Sequence, residues 1–289
     1  MHNHKHFHER SEKSDTKNIK IVFFLNLVFM IVEIIGGFLT NSMAVMSDAV
    51  HDFGDCVTLA MNWFLEEYSV KQDDEKYTYG YRRYSLIGVV INTVVLVTGS
   101  VLIISEALKR ISHPQKLESG GMIALAVGGV IVNGLAVFRL RKGKKLTERA
   151  VMLHLMEDVL GWAAVLVAGI FIKLFGLYII DTILSIMIAA FVLSNVIKNF
   201  KETAGIFLQA VPSGYNIISL RKKMTRIKGI LDVHDVHLWS LDGINNIISF
   251  HCVVPYGILT DEVLKIKYKL KKYLKYIGIN HITIEIEYE

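Results

Sequence analysis

Two apolar stretches of membrane-spanning length carry the same polar signature. The first contains Val45-Met46-Ser47-Asp48-Ala49-Val50-His51-Asp52-Phe53-Gly54-Asp55, the second Met152-Leu153-His154-Leu155-Met156-Glu157-Asp158-Val159. An ionised side chain at membrane depth is costly unless it is paired, protonated or bound to a cation. A chain that folds around these stretches must bring them together or supply them with counter-charge. Residues four apart lie on one face of an α-helix. His51 and Asp55 therefore share a face, and so do His154 and Asp158. Side by side, the two helices offer two imidazole nitrogens and two carboxylate oxygens, the donor set of a tetrahedral zinc site. Mutual pairing as structural glue is the alternative, and two His-x-x-x-Asp pairs at equal spacing favour the cation. Asp48, one turn before His51, is expected to orient its ring from behind. Asp52 and Glu157 adjoin proposed ligands in sequence and point about 100° away, which leaves them out of the ligand set.

The surrounding chain has the composition of a membrane protein. Hydrophobic residues make up 52% of its 289 residues, and mean hydropathy is +0.41. The formal charge of +5 does not indicate nucleic-acid binding, because the basic residues cluster beside apolar spans and form no recognition helix. Cys56 and Cys252 give neither a disulfide framework nor a Cys-x-x-Cys metal pair. The polar N-terminal lead ends without a small-residue cleavage site, so the first span is expected to be a retained anchor.

Six spans are expected: 19–40, 42–68, 84–108, 120–140, 147–174 and 178–200. Residues 1–18 form a polar tail in which His2, His4, His6 and His8 alternate, a weak candidate for loose metal binding. Thr40-Asn41-Ser42 and Phe175-Gly176-Leu177 force tight hairpins, and Gly36-Gly37 invites close helix approach. Lys and Arg number five through Lys20, four after the second span and six around the link after the fourth; the opposite links carry none, three and one. The positive-inside rule then puts both termini in the cytoplasm. After Pro212 the texture is that of a soluble domain: a basic helix over 213–228, a strand over 233–241, an Asp242-Gly243 turn, a strand over 247–255, a helix over 260–276 and a strand over 282–288. This α-β-β-α-β order suggests a small open sheet with helices on one side. The domains are accordingly 1–18, 19–211 and 212–289.

An intramembrane metalloenzyme is the rival from another class. The chain lacks His-Glu-x-x-His, and a closed set of four ligands leaves no position for an activated water. A passive channel would favour rings of carbonyls or carboxylates over a saturating cage. Binding, switching and releasing an ion fits the pattern best, and no enzymatic activity or organic cofactor is expected.

The six-span layout, Ser47-Asp48-Ala49-Val50-His51 with Asp55, His154 with Asp158, Tyr77-Thr78-Tyr79-Gly80-Tyr81-Arg82-Arg83 and Val233-His234-Asp235-Val236-His237-Leu238-Trp239 together resemble the cation diffusion facilitator family over residues 19–289. The resemblance implies a homodimeric exporter of divalent metal that exchanges Zn²⁺ for protons, with a cytoplasmic metallochaperone-like, ferredoxin-like α+β domain. It assigns the transport site to His51, Asp55, His154 and Asp158. Histidine at position 51 resembles the zinc-preferring members, with Co²⁺ and Cd²⁺ as weaker substrates; an exporter whose main metal is Co²⁺, Cd²⁺, Fe²⁺ or Mn²⁺ is the alternative. It also implies a regulatory Zn²⁺ site at His234, His251 and Glu287, with Glu285 where some relatives carry histidine. His251 and Cys252 fall on opposite faces of a strand, so at most one joins that site. Where relatives use histidines in the link after the second span, this chain has Tyr77 and Tyr81, which leaves Asp73 and Asp74 as weak candidates. The compact length and lack of organellar targeting point to a prokaryotic plasma (inner) membrane.

Overall fold

The computed structural model describes residues 23, 24, 26–69, 71, 73–140 and 146–289. The histidines at 2, 4, 6 and 8 lie outside these. Two compact units result, one of Met1–Leu65 with Val90–Lys198 and one of Glu66–Val89 with Asn199–Glu289.

Among the described residues, six helices precede the C-terminal α+β segment: α1 (Asn26–Thr40), α2 (Met43–Ser69), α3 (Tyr84–Ser112), α4 (Ser119–Leu140), α5 (Leu146–Phe175) and α6 (Ile179–Phe207). Among the described residues, four stretches are long and apolar enough to cross a membrane: Tyr84–Ser112, Ser119–Phe138, Met152–Phe175 and Ile179–Phe207. α2 is long enough but is interrupted by Asp48, Asp52 and Asp55, and the described part of α1 is short. The helices display Phe38, Leu39, Phe138, Leu160 and Leu174 outward, as a lipid-facing surface should.

In the first unit Trp162 of α5 is buried at 1% exposure in a cluster with Ala44, Val45, Met122, Ala126 and Val165. Its indole lies against Gly129 of α4, where an added Cβ would collide with the ring. A Cβ on Gly36 would come within 2.5 Å of Leu125, and one on Gly37 within 2.7 Å of Met46, so this glycine pair lets α1 close on α4 and α2 together. The α1–α2 hairpin turns at Asn41, whose φ of 56° is left-handed. Arg110 of α3 clamps it, donating to the Asn41 carbonyl and to Asn41 Oδ1, each at 2.9 Å.

The start of α2 is capped from α6. Asp181 Oδ2 accepts from Met43 N at 2.7 Å, and Oδ1 accepts from Ser42 Oγ at 2.6 Å and Ala44 N at 3.2 Å. Ser42 Oγ in turn accepts from Val45 N. A helix leaves its first N–H groups unsatisfied, and at membrane depth water does not fill them. Asp181 meets that need, and it thereby sets where the polar face of α2 points.

The second unit contains the link Glu66–Val89 and the soluble fold. Asp74 organises the link: Oδ1 accepts from Lys76 N and Tyr77 N, and Oδ2 from the Tyr81 hydroxyl at 2.5 Å. These donors, the Tyr81 hydroxyl foremost, hold its carboxyl below the usual range. Helix α7 runs only Ile217–Thr225, shorter than the expected 213–228. Gly214 has a φ of 94°, and Asn216 caps the helix by accepting from Ser219 N. α6 continues to Phe207, past the expected end near 200. Strands β1 (Asp232–Ser240), β2 (Asn246–Val254) and β3 (Ile279–Tyr288) form a sheet in the order β1-β2-β3, antiparallel then parallel, with α8 (Thr260–Tyr276) making the crossover. Val233, Leu238, Ile248, Phe250, Cys252 and Val254 face Leu220, Met224, Ile266, Leu270 and Leu274 in the core. Burial pushes the Cys252 thiol up to about 11, so it is a neutral core residue and not a ready thiolate ligand. The opposite face of the sheet carries the histidines.

Candidate metal centre

Helices α2 and α5 bring their His-x-x-x-Asp pairs together. His154 Nε2 lies 3.0 Å from Asp55 Oδ2 across the helix interface and 3.9 Å from Asp158 Oδ2 on its own helix. His51 Nε2 lies 3.8 Å from Asp55 Oδ2. The two imidazoles meet edge to face with centroids 6.0 Å apart. One donor atom each from His51, His154 and Asp158 falls within a 4.8 Å span. Zinc bonds of ~2.0–2.1 Å in a tetrahedral shell put neighbouring donors about 3.3 Å apart. The spacings of 3.0–3.9 Å lie around that value.

The placement of the other polar residues follows from helix geometry. Glu157 is exposed. Asp48 is buried, but it does not hold the His51 ring as expected: His51 Nδ1 is itself buried without a hydrogen-bond partner. Asp48 Oδ1 instead lies 3.7 Å from where a Cβ on Gly161 of α5 would sit. A residue three before His51 shares its side of the helix without having to reach its ring, and spacing alone does not separate the two.

A second cluster lies on the outer face of the sheet. Glu287 bridges two imidazoles, Oε1 at 2.7 Å from His251 Nδ1 and Oε2 at 3.2 Å from His234 Nε2. His251 Nε2 is 3.5 Å from both Glu285 Oε2 and Asp235 Oδ2. The ring centroids of His234 and His251 are 5.3 Å apart, and His234, His251 and Glu287 offer donors within a 4.8 Å span. The Glu287 carboxylate, with Glu285 and Asp235 beyond it, holds the His251 imidazole above its usual range. Asp235 is the member that sequence alternation conceals. Between His234 and His237 one extra residue on β1 opposes β2, and Asp235 takes a φ of 48° there. Such a bulge re-aims side chains, and it brings Asp235 to the histidine face, 2.9 Å from His237 Nε2.

Residues 19–208 match the cation efflux transmembrane domain, and residues 212–289 match the cytoplasmic domain of cation efflux proteins. The chain belongs to the cation efflux family.

Relatives within this cation efflux family align nearly end to end with the chain. The cadmium, cobalt and zinc/H(+)-K(+) antiporter of Bacillus subtilis (strain 168) is 32% identical over 286 residues, covering 98% of this chain and 92% of that protein. The zinc transporter ZitB of Escherichia coli (strain K12) is 31% identical, covering 99% of this chain and 93% of that protein. The metal-bound C-terminal domain of the CzcD transporter from Cupriavidus metallidurans is 23% identical, with a TM-score of 0.23, and covers 25% of this chain and 99% of that domain. As a cation efflux protein the chain is a multi-pass membrane transporter of metal cations, with an α+β domain after its membrane helices. In this efflux protein's link, Asp74 is occupied in building the turn.

Proposed function

We propose that this protein exports Zn²⁺ from the cytoplasm in exchange for protons, by alternating access, as a homodimer in the cell membrane. The ion is bound by His51, Asp55, His154 and Asp158. The six helices α1–α6 each cross the bilayer, and both termini lie in the cytoplasm. The observation that carries the reading is the 3.0 Å approach of His154 Nε2 to Asp55 Oδ2 between helices. Asp55 Oδ2 is buried without a hydrogen-bond partner, so a proton placed between these two atoms would satisfy both. In the loaded site the same nitrogen needs its lone pair for the metal, and the carboxylate must be bare. Proton and metal therefore compete for the same atoms. Facing the cytoplasm, the cage takes Zn²⁺ and gives up protons; facing an acidic exterior, protons displace the ion. Two imidazoles with two carboxylates suit Zn²⁺, and the family resemblance implies Co²⁺ and Cd²⁺ as weaker substrates. The names of the Bacillus subtilis and Escherichia coli relatives, which between them include these three metals, support that set.

The cytoplasmic domain acts as a sensor in this scheme. His234, His251 and Glu287, with Glu285 and Asp235 beside them, bind Zn²⁺ as it accumulates and favour the transport-competent dimer. The match to a cytoplasmic domain of cation efflux proteins supports this role. The test is Zn²⁺ uptake into proteoliposomes under an imposed pH gradient, wild type against His154→Ala. Gradient-dependent uptake by the wild type alone is expected. Equal uptake by both would reduce the four residues to structural glue, and manganese movement without zinc would keep the family but change the substrate.

A further inference from the structure

Among the described residues, Glu33 on α1 and Asp48 and Asp52 on α2 are carboxylates that stand outside the proposed metal centre. Asp48 and Asp52 are four apart and share a helix face. Glu33 is 1% exposed, and both of its carboxylate oxygens are buried without a hydrogen-bond partner. It abuts Asp52 and lies within electrostatic reach of Asp48 and Asp158. Two carboxylates can hold such a contact only through a proton or a cation between them. Opposite them α5 presents Gly161, which has no side chain to fill the space beside Asp48 Oδ1. Gly161 comes three residues after Asp158, on the same helix face. The polar seam of the metal centre thus continues along α2 and α5 toward the end of α2 that Asp181 caps.

We infer that Glu33, Asp48 and Asp52 form a second, oxygen-only station for the divalent cation, next to the centre of His51, Asp55, His154 and Asp158 and nearer the N-terminal end of α2. The inference rests on the reading of the chain as a metal exporter. A buried carboxylate without a partner needs a proton or a cation, and a divalent ion neutralises two at once. Carboxylates alone are hard donors and hold Zn²⁺ less firmly than a set that includes imidazole. An ion leaving the nitrogen-containing cage through this station meets a weaker site, from which release is fast. Two divalent ions so close would repel strongly at low dielectric, so cage and station fill in turn.

Cadmium NMR on the full-length protein distinguishes the two by donor type. In a His51→Ala/His154→Ala protein no imidazole remains at the membrane centre, and the cytoplasmic cluster still carries its own. A resonance in the all-oxygen range is expected there, lost on adding Glu33→Gln and retained with Glu33→Asp. No such resonance, or one that survives Glu33→Gln, overturns the station. In proteoliposomes Glu33→Gln alone should slow zinc uptake on the order of tenfold at every pH, while equilibrium zinc affinity at the cage stays within about twofold. Loss of cage affinity would make Glu33 part of the cage or of its scaffold. A rate that recovers fully at another pH would make Glu33 a proton carrier. Either result overturns the station. Should the wild type move no metal under any gradient, it is the exporter reading that fails, and the NMR measurement still decides whether the station binds.

Discussion

Replacing Asp181 by alanine should uncouple the start of α2 from the bundle, and the size of the effect follows from its three hydrogen bonds. The carboxylate receives Met43 N at 2.7 Å, Ala44 N at 3.2 Å and Ser42 Oγ at 2.6 Å, at a residue only 2% exposed. The Ser42 hydroxyl can turn to another acceptor and keeps its own contact with Val45 N. The two backbone donors cannot move without unwinding the turn. Leaving a buried donor unsatisfied costs about 1–3 kcal/mol, so the pair gives ~2–6 kcal/mol, with ~4 as the central expectation. Asp181→Asn retains one acceptor oxygen and should lose about half as much. Reversible unfolding in mixed detergent micelles, followed by circular dichroism and by Trp162 fluorescence, measures the difference directly. Zinc uptake should fall with stability, because the same turn aims His51 and Asp55. If Asp181→Ala unfolds within about 0.5 kcal/mol of wild type, a value typical of plain surface changes, then Asp181 is not the cap on which α2 depends.

Adjacent glycines on α4 should respond oppositely. Gly129→Ala drives a methyl into the Trp162 ring and should cost about 1–3 kcal/mol, whereas Gly128→Ala meets nothing within 4 Å and should be neutral or mildly stabilising in the same assay. In the cytoplasmic domain, Leu270→Ala removes a fully buried side chain between α8 and the sheet and should lower stability by about 2–5 kcal/mol. At Asp235 the left-handed backbone is the constraint: Asp235→Val should cost about 1–2 kcal/mol, while Asp235→Gly keeps the bulge and removes only the carboxylate from His237 and His251. The His251 imidazole is held above its usual value by Glu287. In the metal-free domain that pair therefore contributes stability in full below the unfolded histidine value of about 6.5, and loses it as pH rises through the folded value. Metal needs the bare nitrogen, so zinc affinity of the cytoplasmic cluster should climb over that same interval. Glu287→Gln should shift both curves to lower pH, which NMR titration of the ring protons would show.

What the sequence made legible was whatever depends on period and polarity. Helix spacing alone paired His51 with Asp55 and His154 with Asp158, and between the two helices His154 Nε2 lies 3.0 Å from Asp55 Oδ2. Hydropathy located α3, α4, α5 and the start of α6 to within a few residues, because each apolar run is bounded by polar or basic residues, but α6 runs on to Phe207, past the expected end near 200. The expected α-β-β-α-β order appears with its hairpin at Asp242-Gly243, where the Asp242 carboxylate takes the Ile244 and Asn245 amides. The start of α7 was placed too early, since Gly214 and the Asn216 cap outweigh the amphipathic pattern that begins near Ser213.

The parts that stayed hidden depend on contacts between elements distant in sequence. Asp181 reads as an isolated acid at the start of a span; its meaning lies in the first turn of α2, 138 residues earlier. Asp235 alternates away from His234 in sequence, and only the bulge against β2 returns it to the histidine face. Asp48 and Glu33 make the same point for the membrane. Spacing puts Asp48 on the correct side of α2 but does not say whether it meets His51 or the gap at Gly161, and nothing near Glu33 in sequence announces Asp52 as its neighbour. A buried acid in a membrane helix is costly wherever it sits, so its presence is readable from sequence as uncompensated charge. Identifying the cation that compensates it requires knowing which other acids share the space. On the proposed reading the acids divide between a cage that includes imidazole nitrogen and a neighbouring set that does not, and that difference in donor chemistry would give an ion a direction in which to leave.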